Sequence, residues 1–143
     1  MSTKAAIDLI KAREGCKLTA YQDGGGVWTI GYGHTGPEVK AGLTWTQEEA
    51  ERGLAFDLGH AAAVVTKSVH VAVGDLAIGA LISLTFNIGT EAFTKSTLLT
   101  LVNGGKHLAA AKEFLRWDHD NGIEVKGLLI RRLEEAALYL KGV

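Results

Sequence analysis

Residues 75–88, Asp75-Leu76-Ala77-Ile78-Gly79-Ala80-Leu81-Ile82-Ser83-Leu84-Thr85-Phe86-Asn87-Ile88, are apolar on nearly every face of a helix. A surface helix needs one apolar stripe, whereas a helix apolar all round has to be enclosed by other elements. The stretch is too short to span a bilayer, which takes about 20 residues. It therefore predicts the central helix of a helical lobe, ended by Gly89. Further helices are expected at about 46–67, 90–95, 97–103, 107–116 and 127–141, with Gly104-Gly105 and Asp120-Asn121-Gly122 as breaks. The longest has a clear start signal: Thr46-Gln47-Glu48-Glu49 fits a capping box, with Thr46 as N-cap and Glu49 reaching back to it. Gly53 and Gly59 weaken that helix without breaking it.

The N-terminal part follows another period. Residues 3–14 favour a helix through Ala5, Ala6, Ile7, Leu9, Ile10 and Ala12, and Gly15 is its stop. Residues 17–22 and 27–33 alternate as strands, with Trp28, Ile30 and Tyr32 toward one face and Thr29 and Gly31 toward the other. Gly24-Gly25-Gly26 turns between them. The expected fold class is α+β, mainly α. A single domain over residues 1–143 would have a small hairpin lobe at about 12–58 and a larger helical lobe at about 68–143, with the N-terminal helix packing on the larger lobe. The 46–67 helix would join the lobes, and a cleft between two lobes is a usual ligand site.

Composition excludes several classes. With 143 residues, 47% hydrophobic and 22% charged, the chain is long and apolar enough for a real core and is not of disordered type. A formal net charge of −1 gives no electrostatic pull toward nucleic acid or a membrane surface, so neither partner is expected, and a monomer is. Cys16 is the one cysteine, which rules out an intrachain disulfide; a packed side chain is the plainer role for it than a nucleophile. The N-terminal stretch carries Lys4, Asp8, Lys11 and Arg13 with no apolar run behind them, so no secretory signal is read there. No Cys/His cluster has metal-ligand spacing, and no cofactor is expected.

The chemistry concentrates in residues 14–34. Glu14 falls in the last turn of the first helix, at the negative end of its macrodipole, where an ionised carboxylate is disfavoured. That favours a general acid, although a surface glutamate at a frayed helix end is the plainer reading of position alone. Asp23 precedes three glycines and by itself is a turn aspartate; Thr29 by itself is an ordinary strand threonine. A hairpin centred on the glycines brings the two within one or two cross-strand positions. A hydroxyl beside an ionised carboxylate can hold a water, which an inverting glycosidase requires.

The sequence Glu14-Gly15, Tyr21-Gln22-Asp23, Trp28-Thr29-Ile30-Gly31-Tyr32-Gly33-His34 resembles the phage-type lysozymes, the endolysin muramidases. The likeness continues through Phe86-Asn87-Ile88-Gly89, Phe93, Ser96-Thr97-Leu98, Arg116-Trp117, Gly127-Leu128, Arg131-Arg132 and Glu135, so it covers about residues 7–140. It implies a two-lobed lysozyme-like fold and hydrolysis of the β-1,4 bond between N-acetylmuramic acid and N-acetylglucosamine in peptidoglycan. Glu14 would be the general acid, Asp23 the carboxylate opposite it, and Thr29 would position the attacking water. The resemblance also implies that His34 pairs with Asp57 as a structural tie. Tyr32, Asn87, Ser96 and Arg131 are expected to meet the glycan, in a cleft with Glu14, Asp23 and Thr29 on one wall and Asn87 or Ser96 on the other. For Arg131 and Arg132 a solvated basic helix end is the competing reading. A glycan-binding protein that does not cut, and a lytic transglycosylase, are the competing functions; Asp23 with Thr29 disfavours both. An endolysin without an export signal would be held in the host cytoplasm until released to the wall. Gly74, where a Ser or Thr cap is expected, and the polar run Asp118-His119-Asp120-Asn121 are departures.

Overall fold

The computed structural model describes residues 2–120, 123–124 and 126–143. Its elements are α1 (Ser2–Arg13), β1 (Lys17–Gln22), β2 (Trp28–Gly31), β3 (His34–Thr35), α2 (Gln47–Ser68), α3 (Asp75–Ile88), α4 (Thr90–Thr94), α5 (Thr97–Asn103), α6 (His107–Glu113), β4 (His119–Asp120), β5 (Ile123–Glu124) and α7 (Lys126–Lys141). A 3-10 turn at Phe114–Trp117 follows α6. The fold is mainly helical with a small antiparallel sheet, in the α+β class expected. Among the described residues no helix is long and apolar enough to cross a membrane. The chain packs into two compact units, Ile7–Gly59, and Met1–Ala6 with His60–Val143.

In the Ile7–Gly59 unit the sheet order is β1-β2-β3. β1 and β2 pair Tyr21 with Thr29 and Gln22 with Trp28, then slip out of regular register before Lys17 meets Gly31. The far edge of β1 is covered by residues 43–45, through Ala20 N–H to Leu43 O at 2.9 Å and Trp45 N–H to Leu18 O at 2.8 Å. Both faces of β2 are covered: Thr29, Ile30 and Gly31 are all buried, and Trp28 is half-buried. On the Gly31 side the cover is Trp45. A Cβ on Gly31 would stand 3.0 Å from Cζ3 of Trp45, and one on Gly53 would stand 2.8 Å from the same ring. The glycine inside α2 is thus the seat of an indole. α2 tolerates it, as expected, and its start is the capping box: Glu49 N–H donates to Thr46 Oγ1 at 3.1 Å, and Thr46 N–H to Glu49 Oε1 at 3.0 Å.

In the helical unit α3 lies at the centre, with Ala77, Ala80, Leu81 and Leu84 fully enclosed. Truncating such a leucine to alanine typically costs about 2–5 kcal/mol. α7 is its main neighbour and carries Arg132, Glu135 and Tyr139 inside. Gly74 is the N-cap of α3 and has no side chain to cap with. Instead its N–H donates to Gly142 O at 2.8 Å, and a Cβ at this position would stand 2.9 Å from that same oxygen. Close approach of the chain's C-terminal turn explains the missing Ser or Thr. The 107–116 helix stops early, its last turn tightening into the 3-10 form. His119 and Asp120 of the polar run form β4, which pairs with β5 in an antiparallel ladder that was not expected. Of the Asp120-Asn121-Gly122 break, Asn121 and Gly122 lie outside the described residues.

Candidate active site

Glu14 follows the last residue of α1, and its N–H donates to Ile10 O at 2.7 Å, so helical bonding runs one residue further before Gly15. Its carboxylate lies over the backbone of Gly33, with Oε2 3.7 Å from the place a Cβ would occupy there. Gly33 has φ +81°, a left-handed conformation that a side chain would strain.

Asp23 is the turn aspartate of the plain reading. Its Oδ1 accepts from Gly25 N–H at 2.8 Å and from Val27 N–H at 2.9 Å. Its own N–H donates to Val27 O at 2.9 Å, and Gly26 N–H, at φ +80°, donates to Asp23 O at 2.9 Å. The turn therefore consumes one carboxylate oxygen of an exposed residue. Thr29 is 5% exposed. It pairs with Tyr21 on one side and Thr35 on the other, and its Oγ1 donates to Val27 O at 3.0 Å. Asp23 and Thr29 are thus both fastened to the peptide of Val27, a role carried by backbone that leaves no signal in side-chain identity.

His34, in β3, sits between two carboxylates. Nδ1 is 2.7 Å from Asp57 Oδ2 and Nε2 is 2.8 Å from Glu38 Oε1. Burial alone would lower the pKa of the imidazole, but the hydrogen bonds and charges of Asp57 and Glu38 outweigh it and hold the pKa above its ordinary value. The Asp57 pair was expected and Glu38 was not, although an acid four positions after His34 was there to be read. An open depression of about 490 Å³ beside this cluster is lined by Trp45 and the exposed ring of Phe56; Glu14, Asp23 and Thr29 do not line it.

Residues 11–135 match the family described as Phage lysozyme. The chain belongs to the phage lysozyme family. It is 42% identical over 135 residues to an endolysin of Acyrthosiphon pisum secondary endosymbiont phage 1, covering 92% of each chain. It is 38% identical over 142 residues to the endolysin of Bacillus phage PZA, covering 98% of this chain and 55% of that longer one. Among solved structures it is similar to the endolysin from Escherichia coli O157:H7 phage FAHEc1, with a TM-score of 0.92, 35% identity, and coverage of 98% of this chain and 93% of that one.

In this phage lysozyme the other candidate residues are distributed as follows. Tyr32 is 7% exposed, and its hydroxyl accepts from Gln47 Nε2 at 2.9 Å. Asn87, near the end of α3, has the partner that its apolar helix demands: Oδ1 accepts from Arg132 Nη1 at 2.9 Å. Ser96 caps α5, accepting from Leu99 N–H at 3.1 Å and donating to Phe93 O at 2.7 Å. The solvated reading of the arginine pair is overturned, since Arg131 is 7% exposed and Arg132 is fully enclosed. They lie mid-helix on α7, not at its start. Arg132 Nε lies 2.7 Å from Glu135 Oε1, and Glu135 Oε2 accepts from Ser83 Oγ at 2.5 Å. Burial pushes the Glu135 carboxyl above its usual range, and the adjoining guanidinium opposes that. The pairing explains why these charges stand inside: a buried ion is tolerated only with close, hydrogen-bonded partners.

Proposed function

We propose that this protein is a muramidase of a phage lysis system, which hydrolyses the β-1,4 bond between N-acetylmuramic acid and N-acetylglucosamine in bacterial peptidoglycan. Family membership and the endolysins among its relatives support the reading. The observation that carries it is the arrangement on the Val27 peptide. Asp23, an exposed residue, has one carboxylate oxygen committed to the turn, and the Thr29 hydroxyl is fixed to the same peptide; Glu14 belongs to the same compact unit.

In this mechanism Glu14 gives its proton to the glycosidic oxygen as the C–O bond breaks. Asp23 and Thr29 hold a water, whose oxygen bonds to the anomeric carbon while its proton passes to the carboxylate. Tyr32, Asn87, Ser96 and Arg131 are assigned to glycan contact. The chain acts as a monomer on the glycan strand at the cell wall, without nucleic acid or stable membrane association, after synthesis in the host cytoplasm.

The test is clearance of purified bacterial walls by the wild-type protein and by Glu14→Gln, with mass analysis of the fragments. Removing a general acid is expected to slow hydrolysis by roughly 10²–10⁴-fold while the fold is kept. Equal clearance by a folded Glu14→Gln would remove Glu14 from the mechanism. Fragments one water lighter, with anhydro ends, would make the protein a transglycosylase, and binding without cleavage by the wild type would make it a glycan-binding protein.

A further inference from the structure

Helix α1 delivers Glu14 from a weak position. The last turn of a helix frays and Gly15 follows at once; one turn back, Lys11 makes a contact outside α1. Residues three apart lie on one face of a helix, so Lys11 and Glu14 share a face. Lys11 Nζ is 2.6 Å from Glu51 Oε1 on α2. Gln47, one turn before Glu51, uses both amide hydrogens: Nε2 donates to Glu51 Oε1 at 3.2 Å and to the hydroxyl of Tyr32 at 2.9 Å. Its Oε1 lies 3.7 Å from Sγ of Cys16, two residues beyond Glu14. Lys11 Nζ also stands 5.6 Å from the centroid of the Tyr32 ring, within cation–π range.

The two pieces of backbone that bracket the Glu14 carboxylate are therefore tied to the same turn of α2. One is the end of α1, tied through Lys11 before Glu14 and Cys16 after it. The other is the Tyr32-Gly33 segment that the carboxylate lies over, tied through the Tyr32 hydroxyl. We infer that Lys11, Gln47 and Glu51 form a positioning network that sets the place of Glu14 against Gly33, an inference that rests on the reading of Glu14 as the acid. The network does not serve global stability. The Lys11 and Glu51 side chains keep 34% and 39% exposure, and half-exposed ion pairs contribute little to folding. Its effect is on geometry, and a misplacement of about 1 Å at a reacting group can cost up to about 100-fold in rate.

The experiment measures Lys11→Met, Glu51→Gln and the exchanged pair Lys11→Glu with Glu51→Lys. Arg52→Met is the control, because it breaks the looser Arg52–Glu48 pair at 3.6 Å on the same helix. The readouts are kcat and KM on a soluble glycan oligomer, melting temperature, and amide exchange at Glu14. Each single variant is expected to lower kcat about tenfold with KM within about twofold, and to speed exchange of the Glu14 amide. Melting should shift by no more than about 2 °C. The exchanged pair should recover most of the lost kcat, and Arg52→Met should change nothing. Unchanged kcat in the singles, losses that track melting temperature, or no recovery in the exchanged pair would overturn the inference. Amide exchange separates its failure from that of the parent reading. Faster exchange at Glu14 in a protein that cuts no glycan keeps the positioning and removes the acid, whereas unchanged exchange removes the positioning whatever the activity.

Discussion

His34 meets Asp57 through Nδ1 and Oδ2 at 2.7 Å, with the other ring nitrogen 2.8 Å from Glu38. Both nitrogens face carboxylate oxygens, and only the doubly protonated imidazolium can donate to both. The folded pKa is accordingly raised above the usual histidine value. A raised folded pKa contributes stability that is fully present below the unfolded pKa, about 6.5, and lost as pH rises through the folded one. Asp57→Asn should therefore lower the melting temperature more at about pH 5 than at about pH 9. Thermal unfolding at the two pH values checks it, and equal losses would exclude a charged pair.

The two carboxylates should not count equally. Glu38 is 58% exposed and Asp57 is 21% exposed, so water screens the first more than the second. Glu38→Gln is expected to lower the His34 pKa less than Asp57→Asn does, in a proton NMR titration of the ring. The reverse order would make Glu38 the dominant partner.

Asp23 has a turn role and a proposed chemical role, and two substitutions separate them. Asn keeps an oxygen where Oδ1 accepts from Gly25 and Val27, but carries no charge. Ala removes both hydrogen bonds, each worth about 0.5–1.5 kcal/mol. Asp23→Asn should melt near the wild-type temperature and lose most activity, and Asp23→Ala should lose both. Full activity in Asp23→Asn would leave the aspartate as a turn residue alone.

What the sequence revealed and what it hid follow one physical division. The capping box of Thr46 and Glu49 and the helix at 75–88 were legible because a local pattern decides each. The Glu51 partner of Lys11 and the Asn87 partner of Arg132 were not, because they lie far off in the chain and only tertiary packing brings them near. β3 and the β4–β5 hairpin have two residues per strand, too few to show a period. The cover that Trp45 gives Gly31 on β2 was not legible either, because it comes from fourteen residues further along the chain. Ser96 directly precedes α5, so its capping role was readable from the same local pattern. In the candidate site, Glu14, Asp23 and Thr29 stood out by type and spacing. The Val27 peptide that organises two of them could not, since any residue but proline supplies the same N–H and C=O.

Gly74 sets local propensity against packing. Serine is a better N-cap than glycine by only about a few tenths of a kcal/mol. A Cβ there, however, would stand 2.9 Å from the backbone oxygen of Gly142, which is also the acceptor of the Gly74 N–H. Overpacking against backbone costs about 1–3 kcal/mol, so the clash should win. Gly74→Ser is expected to lower stability in chemical denaturation, and a gain would mean that the C-terminal turn yields freely.

Stereochemistry tests the water-holding role directly. Asp23 Oδ1 is occupied by two backbone N–H groups, and the Thr29 hydroxyl is anchored to Val27 O. A carboxylate so fixed at the rim of a turn, with a hydroxyl for company, is suited to orienting a water rather than to advancing on the sugar carbon. An inverting reaction is expected, and it requires the Glu14 and Asp23 carboxyl groups to stand roughly 6.5–9.5 Å apart with the water between. Proton NMR of the first product formed from a β-linked oligomer should show the α-anomer before mutarotation. The β-anomer first, or a glycosyl group trapped on Asp23, would place the carboxylates near 5 Å, make Asp23 a nucleophile, and leave Thr29 without its proposed part in the reaction.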